Sequence, residues 1–306
     1  MKSGAGGSDQ FPFANRVAMQ VEGGFSSPLS LVSFPGSLIS TMLPIIKKIT
    51  GLIAFVAAFA AASSFAQDAK SSKILTVGTN PEFPPFELVE KGTNKIIGFD
   101  VDLITEVAKA AGYAGVKMEA FAFDTLVEAL NQKKVDVVIA GMTITDERKA
   151  KVLFTDPYYN AAQVLVVTKK NKTISTLDDI KDKRVGVQLG TTGGVVAEKA
   201  LGQNNPNMKQ FRKYTEVFYE LKLGRVDVVV VDMPVAQAYL KLKNFSDLKI
   251  SSKPMSEEEF GIAIAKDNTE LHKQLNAGLK SIRESGKLDQ LLNKWFDETT
   301  AEADKK

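Results

Sequence analysis

From residue 73 onward, short apolar runs alternate with stretches in which apolar residues recur every three or four positions. The run ILTVGT at 74–79 predicts a buried strand, and over 100–111 Val101, Ile104, Val107, Ala108 and Ala111 fall on one helical face. A helix over 125–131 and a strand over VDVVIAG at 135–141 follow, and RKAKVLF at 148–154 reads as the next helix. A second round starts with strand RVGVQL at 184–189. It continues through loop GTTGG at 190–194, helix VVAEKAL at 195–201, helical EVFYELKLG at 216–224 and strand VDVVVVD at 226–232. Such alternation predicts parallel strands joined by helical crossovers. The rounds echo each other. EALNQKKVDVVIAG at 128–141 parallels ELKLGRVDVVVVD at 220–232, which points to two α/β lobes of related build. Two amphipathic helices, LHKQLNAGLKSIRESG at 271–286 and LDQLLNKWF at 288–296, close the pattern, with Trp295 and Phe296 read as core packing.

The first 66 residues behave differently. Residues 1–41 are rich in Gly and Ser without a sustained period and read as a non-structural upstream extension. Residues 42–66 have a short basic start at Lys47 and Lys48, an apolar stretch at 49–62, and small residues Ser64 and Ala66. That is the layout of a cleaved secretory signal peptide, with cleavage expected after Ala66. An uncleaved anchor is disfavoured because the apolar stretch is shorter than the roughly 20 residues of a full span. The charged tail at 298–306 is expected to fray.

A net charge of +3, without a basic stripe interleaved with aromatics, argues against a nucleic-acid partner. The absence of cysteine excludes disulfides, thiolate catalysis and cysteine-ligated metals; a single histidine, His272, makes a histidine-built metal site improbable. His272 itself reads as an exposed position on an amphipathic helix. Neither metal nor cofactor is expected.

In open α/β sheets ligands gather where strands give way to helices. AGMTITDER at 140–148 is such a turn: Thr145 suits an N-cap, and Asp146 and Glu147 suit the positive helix end, whereas Arg148 does not. A fork of donors aimed at a carboxylate would justify Arg148; a solvated surface arginine is the bland alternative. GTTGG could present backbone N–H groups near Thr192 and Gly193 to an anion, although it lacks the lysine of a phosphate-binding loop. Asp232 follows four valines, where an unpartnered carboxylate would be costly. A carboxylate held by Arg148 and GTTGG and an ammonium held by Asp232 would together complement an α-amino acid. Phe83 and Phe123 could wall the side-chain pocket. No nucleophile with a base partner stands out, so binding is favoured over turnover.

GTNPEFPPFE at 78–87, GFDVDL at 98–103, AGMTITDER, FTDPYY at 154–159, GTTGG and the final KW-F segment occur in an order that closely resembles the polar amino-acid solute-binding proteins of ABC importers, in particular the glutamine-binding and lysine/arginine/histidine-binding group. The resemblance spans 73–296. It implies a type II periplasmic-binding fold, two α/β lobes joined by two hinge strands with the ligand in the interlobe cleft. Residues 73–160 plus 258–300 would form a discontinuous first lobe and residues 161–257 the second. It further implies that Arg148, helped by Thr143 and Thr192, pairs with the ligand carboxylate, and that Asp232, with the Gly141 region, receives the ammonium. Phe83 and Phe123 would sandwich the ligand. Asn80 stands where cationic-ligand members often have Asp, which tilts the expectation toward glutamine; Glu82 could restore that charge, and Gln188 and Val231 are further specificity candidates. The expected partners are a free L-amino acid and an inner-membrane permease, the expected location is the periplasm, and the expected state is a monomer. A cationic amino acid is the alternative ligand. A dehydratase of prephenate-like acids on the same fold, using Glu82 as its acid, is a less favoured alternative, and a receptor sensor domain less favoured still.

Overall fold

The computed structural model describes residues 73–296. The expected extension at 1–41, the signal peptide at 42–66 and the tail at 298–306 lie outside the described residues. Two five-stranded sheets dominate. The first is built on β1 (Ile74–Thr79), with a small β2 (Glu82–Phe83), β3 (Glu87–Val89), β4 (Ile96–Ile97) sheet folded beside it, and continues with β5 (Gly115–Ala120), β6 (Val137–Val138) and β7 (Val152–Phe154). The chain then crosses on β8 (Tyr159–Ala161) into β9 (Gln163–Thr168), β10 (Val185–Gln188), β11 (Met208–Phe211), β12 (Val228–Asp232) and β13 (Leu248–Ile250). It returns on β14 (Glu258–Phe260) and adds β15 (Ala263–Ala265) to the first sheet.

The spatial orders are β5-β1-β6-β15-β7 and β11-β10-β12-β9-β13. In the first sheet β1 lies parallel between β5 and β6, and in the second β10 lies parallel between β11 and β12; β15 and β9, the strands that follow a crossing, run antiparallel beside β6 and β12. The two VDVV echoes therefore lead into strands of equivalent position, β6 and β12. Burial follows from that position: Val228 to Val231 are all fully buried, because a parallel strand inside a sheet is covered on both faces and can be uniformly apolar. The crossings β8 and β14 pair antiparallel, Ala161 opposite Glu258 and Tyr159 opposite Phe260. They rest on a cluster of aromatic rings. Phe86 lies edge-on to Tyr159 and Phe260, and Phe296 stacks on Tyr159 at 4.9 Å, so Phe296 packs where the sequence expects it.

Three local expectations are corrected. RKAKVLF is not a helix: the helix covers Asp146–Lys149 and the chain turns into β7, whose Val152 is buried and pairs with Ala265 of β15. Pairing with a strand more than 100 residues away overrides local helical preference. GTTGG is not wholly a loop, since the helix Thr192–Leu201 starts inside it with Thr191 as its N-cap. His272 is half-buried rather than exposed, its Nε2 lying 2.8 Å from the Phe154 carbonyl.

Candidate functional site

Thr145 caps the helix Asp146–Lys149 by accepting a bond from the Arg148 amide at 3.2 Å, which fixes where the arginine leaves the backbone. Its guanidinium reaches across to the second lobe. Nη1 donates to the Thr143 carbonyl at 2.8 Å and Nη2 to the Gly190 carbonyl at 3.0 Å, while the Phe123 ring lies 5.3 Å from the charge centre. Burial lowers its pKa, against which Asp232, Glu258 and Glu147 act in that order. The misplaced cation of the sequence is thus a half-buried interlobe tie, and not a solvated side chain.

Opposite it the helix Thr192–Leu201 brings its positive end to the cleft. Gly193 permits this approach: a Cβ there would stand 2.9 Å from the Val230 carbonyl. Thr192 Oγ1 and Thr143 Oγ1, one from each lobe, both donate to Glu258 Oε2, at 2.7 and 2.8 Å. Gln163 Nε2 donates to Thr192 Oγ1 at 3.2 Å and to Asp232 Oδ1 at 2.9 Å. Asp232 ends β12 and is only 3% exposed. Burial first, then the nearby Glu258 charge, pushes its pKa up to about 8, and the Gln163 bond and Arg148 only partly oppose this.

The rear of this loop is fixed by buried acids. Gly141 takes φ +52°, and a Cβ would come within 2.3 Å of Phe83 Cε1, so glycine is required on both grounds. Its amide donates to Asp100 Oδ2 at 2.8 Å, as does the Tyr158 hydroxyl at the start of the crossing. Burial first, then the Asp100 charge, hold the buried Glu87 carboxyl well above the carboxylate range, and burial raises the pKa of Asp100 to about 6. Both shifts favour the neutral acid over the carboxylate.

A cleft of about 1320 Å³ is lined by Phe123, Thr143, Arg148, Thr192 and Glu258 among others. Asn80, Phe83, Gly141, Gln188, Val231 and Asp232 are not among its lining residues. Phe83 packs against Phe86, Tyr214 and Phe260. At the specificity end, Gln188 Nε2 donates to Asn80 Oδ1 across the lobes at 3.0 Å, and Asn80 Nδ2 donates to the Phe121 carbonyl. Glu82 accepts from Thr215 Oγ1 at 2.7 Å and pairs with Lys213 at 3.3 Å, so its charge is already answered from the second lobe. Val231 is fully buried in β12. Sequence reading missed Gln163, Glu258 and Asp100. GFDVDL was noticed as a motif, but nothing local shows which amide its first aspartate holds.

Among the described residues no group of His, Cys, Asp and Glu is arranged to hold a metal ion, and no helix is long and apolar enough to cross a membrane.

The chain is 36% identical over 239 residues to a protein described as a probable histidine-binding protein of Neisseria gonorrhoeae, covering 78% of this chain and 88% of that one. It is also 36% identical to the arginine-binding extracellular protein ArtP of Bacillus subtilis, covering 78% and 91%. A solved structure of an ancestral arginine-binding protein bound to glutamine matches at 44% identity with a TM-score of 0.69, over 74% of this chain and 98% of that one. These relatives are binding proteins, in agreement with the two-lobed fold and with binding rather than catalysis. Residues 75–298 match the model of the bacterial extracellular solute-binding proteins, family 3, and the chain belongs to that family of amino-acid-binding proteins.

Proposed function

We propose that this protein captures a polar L-amino acid between its lobes and delivers it to the membrane permease of an ABC importer. The single observation that carries the reading is a cleft lined by Arg148, Thr143 and Thr192 with the buried Asp232 behind its lining, linked to Thr192 through Gln163. The first set offers positive charge and hydroxyl donors to an α-carboxylate; the second offers an acceptor to an α-ammonium. Affinity arises from charges paired and desolvated on closure, not from area. A secreted, periplasmic protein is consistent with the predicted signal at 42–66. Residues 73–160 plus 258–296 act as one lobe and 161–257 as the other, with β8 and β14 as the hinge.

Glutamine is the favoured ligand, because the specificity end offers the amides of Asn80 and Gln188 and a Glu82 already neutralised by Lys213. Arginine is the second reading. Glu82 could exchange Lys213 for a ligand guanidinium, and the relatives named above bind histidine or arginine. A thermal-shift screen of the twenty amino acids decides, since a ligand that binds only the folded state raises Tm by mass action. A shift with glutamine supports the first reading, a shift with arginine alone supports the second, and no shift with any amino acid at millimolar concentration refutes both.

A further inference from the structure

One carboxylate in the cleft is not accounted for by the amino-acid clamp. Glu258 lies on β14, one of the two crossings, and its side chain turns into the cleft rather than toward solvent. Oε2 receives Thr143 Oγ1 of the first lobe and Thr192 Oγ1 of the second, and Oε1 receives Ser256 Oγ at 3.0 Å. Each threonine hydroxyl has a single proton to give. Thr192 Oγ1 accepts from Gln163 Nε2 and gives its own proton to Glu258 Oε2; Thr143 Oγ1 gives its proton to the same oxygen. A ligand carboxylate that takes these two hydroxyls must therefore take them from Glu258. The two anions also cannot approach without repulsion, and Glu258 already acts on Arg148 and Asp232.

We propose that Glu258 is a tethered competitor. Its carboxylate occupies the hydroxyl donors of the clamp, ties one lobe to the other through a single oxygen when no ligand is bound, and so sets the affinity for the amino acid. The inference deepens the reading of the cleft as an amino-acid site and rests on it for the competition, though not for the tie. Ligand entry exchanges one carboxylate for another on the same two hydroxyls, and Glu258 swings to Ser256 and solvent at the cleft rim. The trade leaves the lobes bridged in both states, with the bridge moved from the protein's own side chain to the ligand.

The experiment compares wild type with Glu258→Ala and Glu258→Gln by isothermal titration with L-glutamine and L-arginine, and by small-angle X-ray scattering of the ligand-free proteins. Glu258→Ala is expected to tighten the binding of whichever amino acid the wild type takes at least fivefold and to enlarge the ligand-free radius of gyration. The glutamine variant, whose amide oxygen can still accept from both hydroxyls but carries no charge, should fall between. A role limited to supporting the fold would lower Tm without raising affinity. Affinity within twofold of wild type, or weaker, overturns the inference. If the wild type binds neither amino acid, the clamp reading has failed on its own; an unchanged radius in Glu258→Ala then overturns the tie as well, and an enlarged one supports it.

Discussion

Asp232→Asn isolates the most costly group in the site. The carboxyl is 3% exposed and its pKa is pushed up to about 8, chiefly by burial and then by Glu258. In the unfolded chain an aspartate titrates near ~4. The folded protein therefore holds a proton that the unfolded chain releases, and stability is lost as pH rises from about 4 to about 8. Each pH unit in that window is worth up to about 1.4 kcal/mol, or roughly 4 kcal/mol by pH 7. Asparagine removes the titration and keeps an oxygen for Gln163 Nε2. Without ligand, the variant should gain on the wild type progressively from pH 5 to pH 8, with the gain levelling off above. Subtracting the two curves matters because Glu87 and Asp100 also have raised pKa values and tilt the wild type in the same direction. Urea melts at pH 5, 6, 7, 8 and 9 measure the difference. The same substitution should weaken amino-acid binding by about 100-fold or more, because the ammonium loses its charged acceptor. In the wild type, binding near pH 7 should release close to one proton, read from titration heats in buffers of different ionisation enthalpy. A stability difference that stays flat between pH 5 and pH 8 would refute the buried titrating carboxyl, and binding retained within tenfold would refute its role toward the ammonium.

Arg148→Ala or Arg148→Lys should reduce affinity by about 100-fold, because a single ammonium cannot replace the fork, while Tm falls by only a few degrees with the loss of two bonds to carbonyls. Micromolar binding in either variant contradicts the clamp. Gly141→Ala should destabilise by about 2 kcal/mol, since it combines a left-handed φ with a collision into Phe83 packed among other rings; a Tm equal to wild type would show that the loop relaxes freely. Glu87→Gln should be at least as stable as the wild type at pH 7, because it puts a neutral amide where burial already disfavours the carboxylate. A loss above about 1 kcal/mol in urea melts would show that Glu87 is held as the charged carboxylate.

Local sequence was enough for the elements whose cause is local. Strand β1, the helix Thr269–Glu284 with Leu271, Leu275, Leu279 and Ile282 on its buried side, and the Thr145 cap all follow from period and capping chemistry within one segment. So does Arg148 as an anomaly, since a cation in the first turn of a helix is visible without knowing its neighbours. The resemblance to amino-acid-binding proteins extended this to the family and to the two-lobed architecture, and the match over 75–298 agrees. The tertiary structure alone decided which groups meet. Thr143 and Glu258 are 115 positions apart, Asn80 and Gln188 108, and Gly141 and Asp100 41. Nothing in the period of either segment encodes those pairings. They depend on the chain leaving the first sheet at β8 and returning at β14, which sets a hinge glutamate beside threonines from both lobes. For the same reason RKAKVLF became half strand: Val152 is held by β15, a partner the chain supplies only after building the second sheet. The sequence pattern thus specifies the pieces and the chemistry they carry, whereas burial and long-range pairing decide which carboxylate is charged, which is protonated, and which already sits in the cleft.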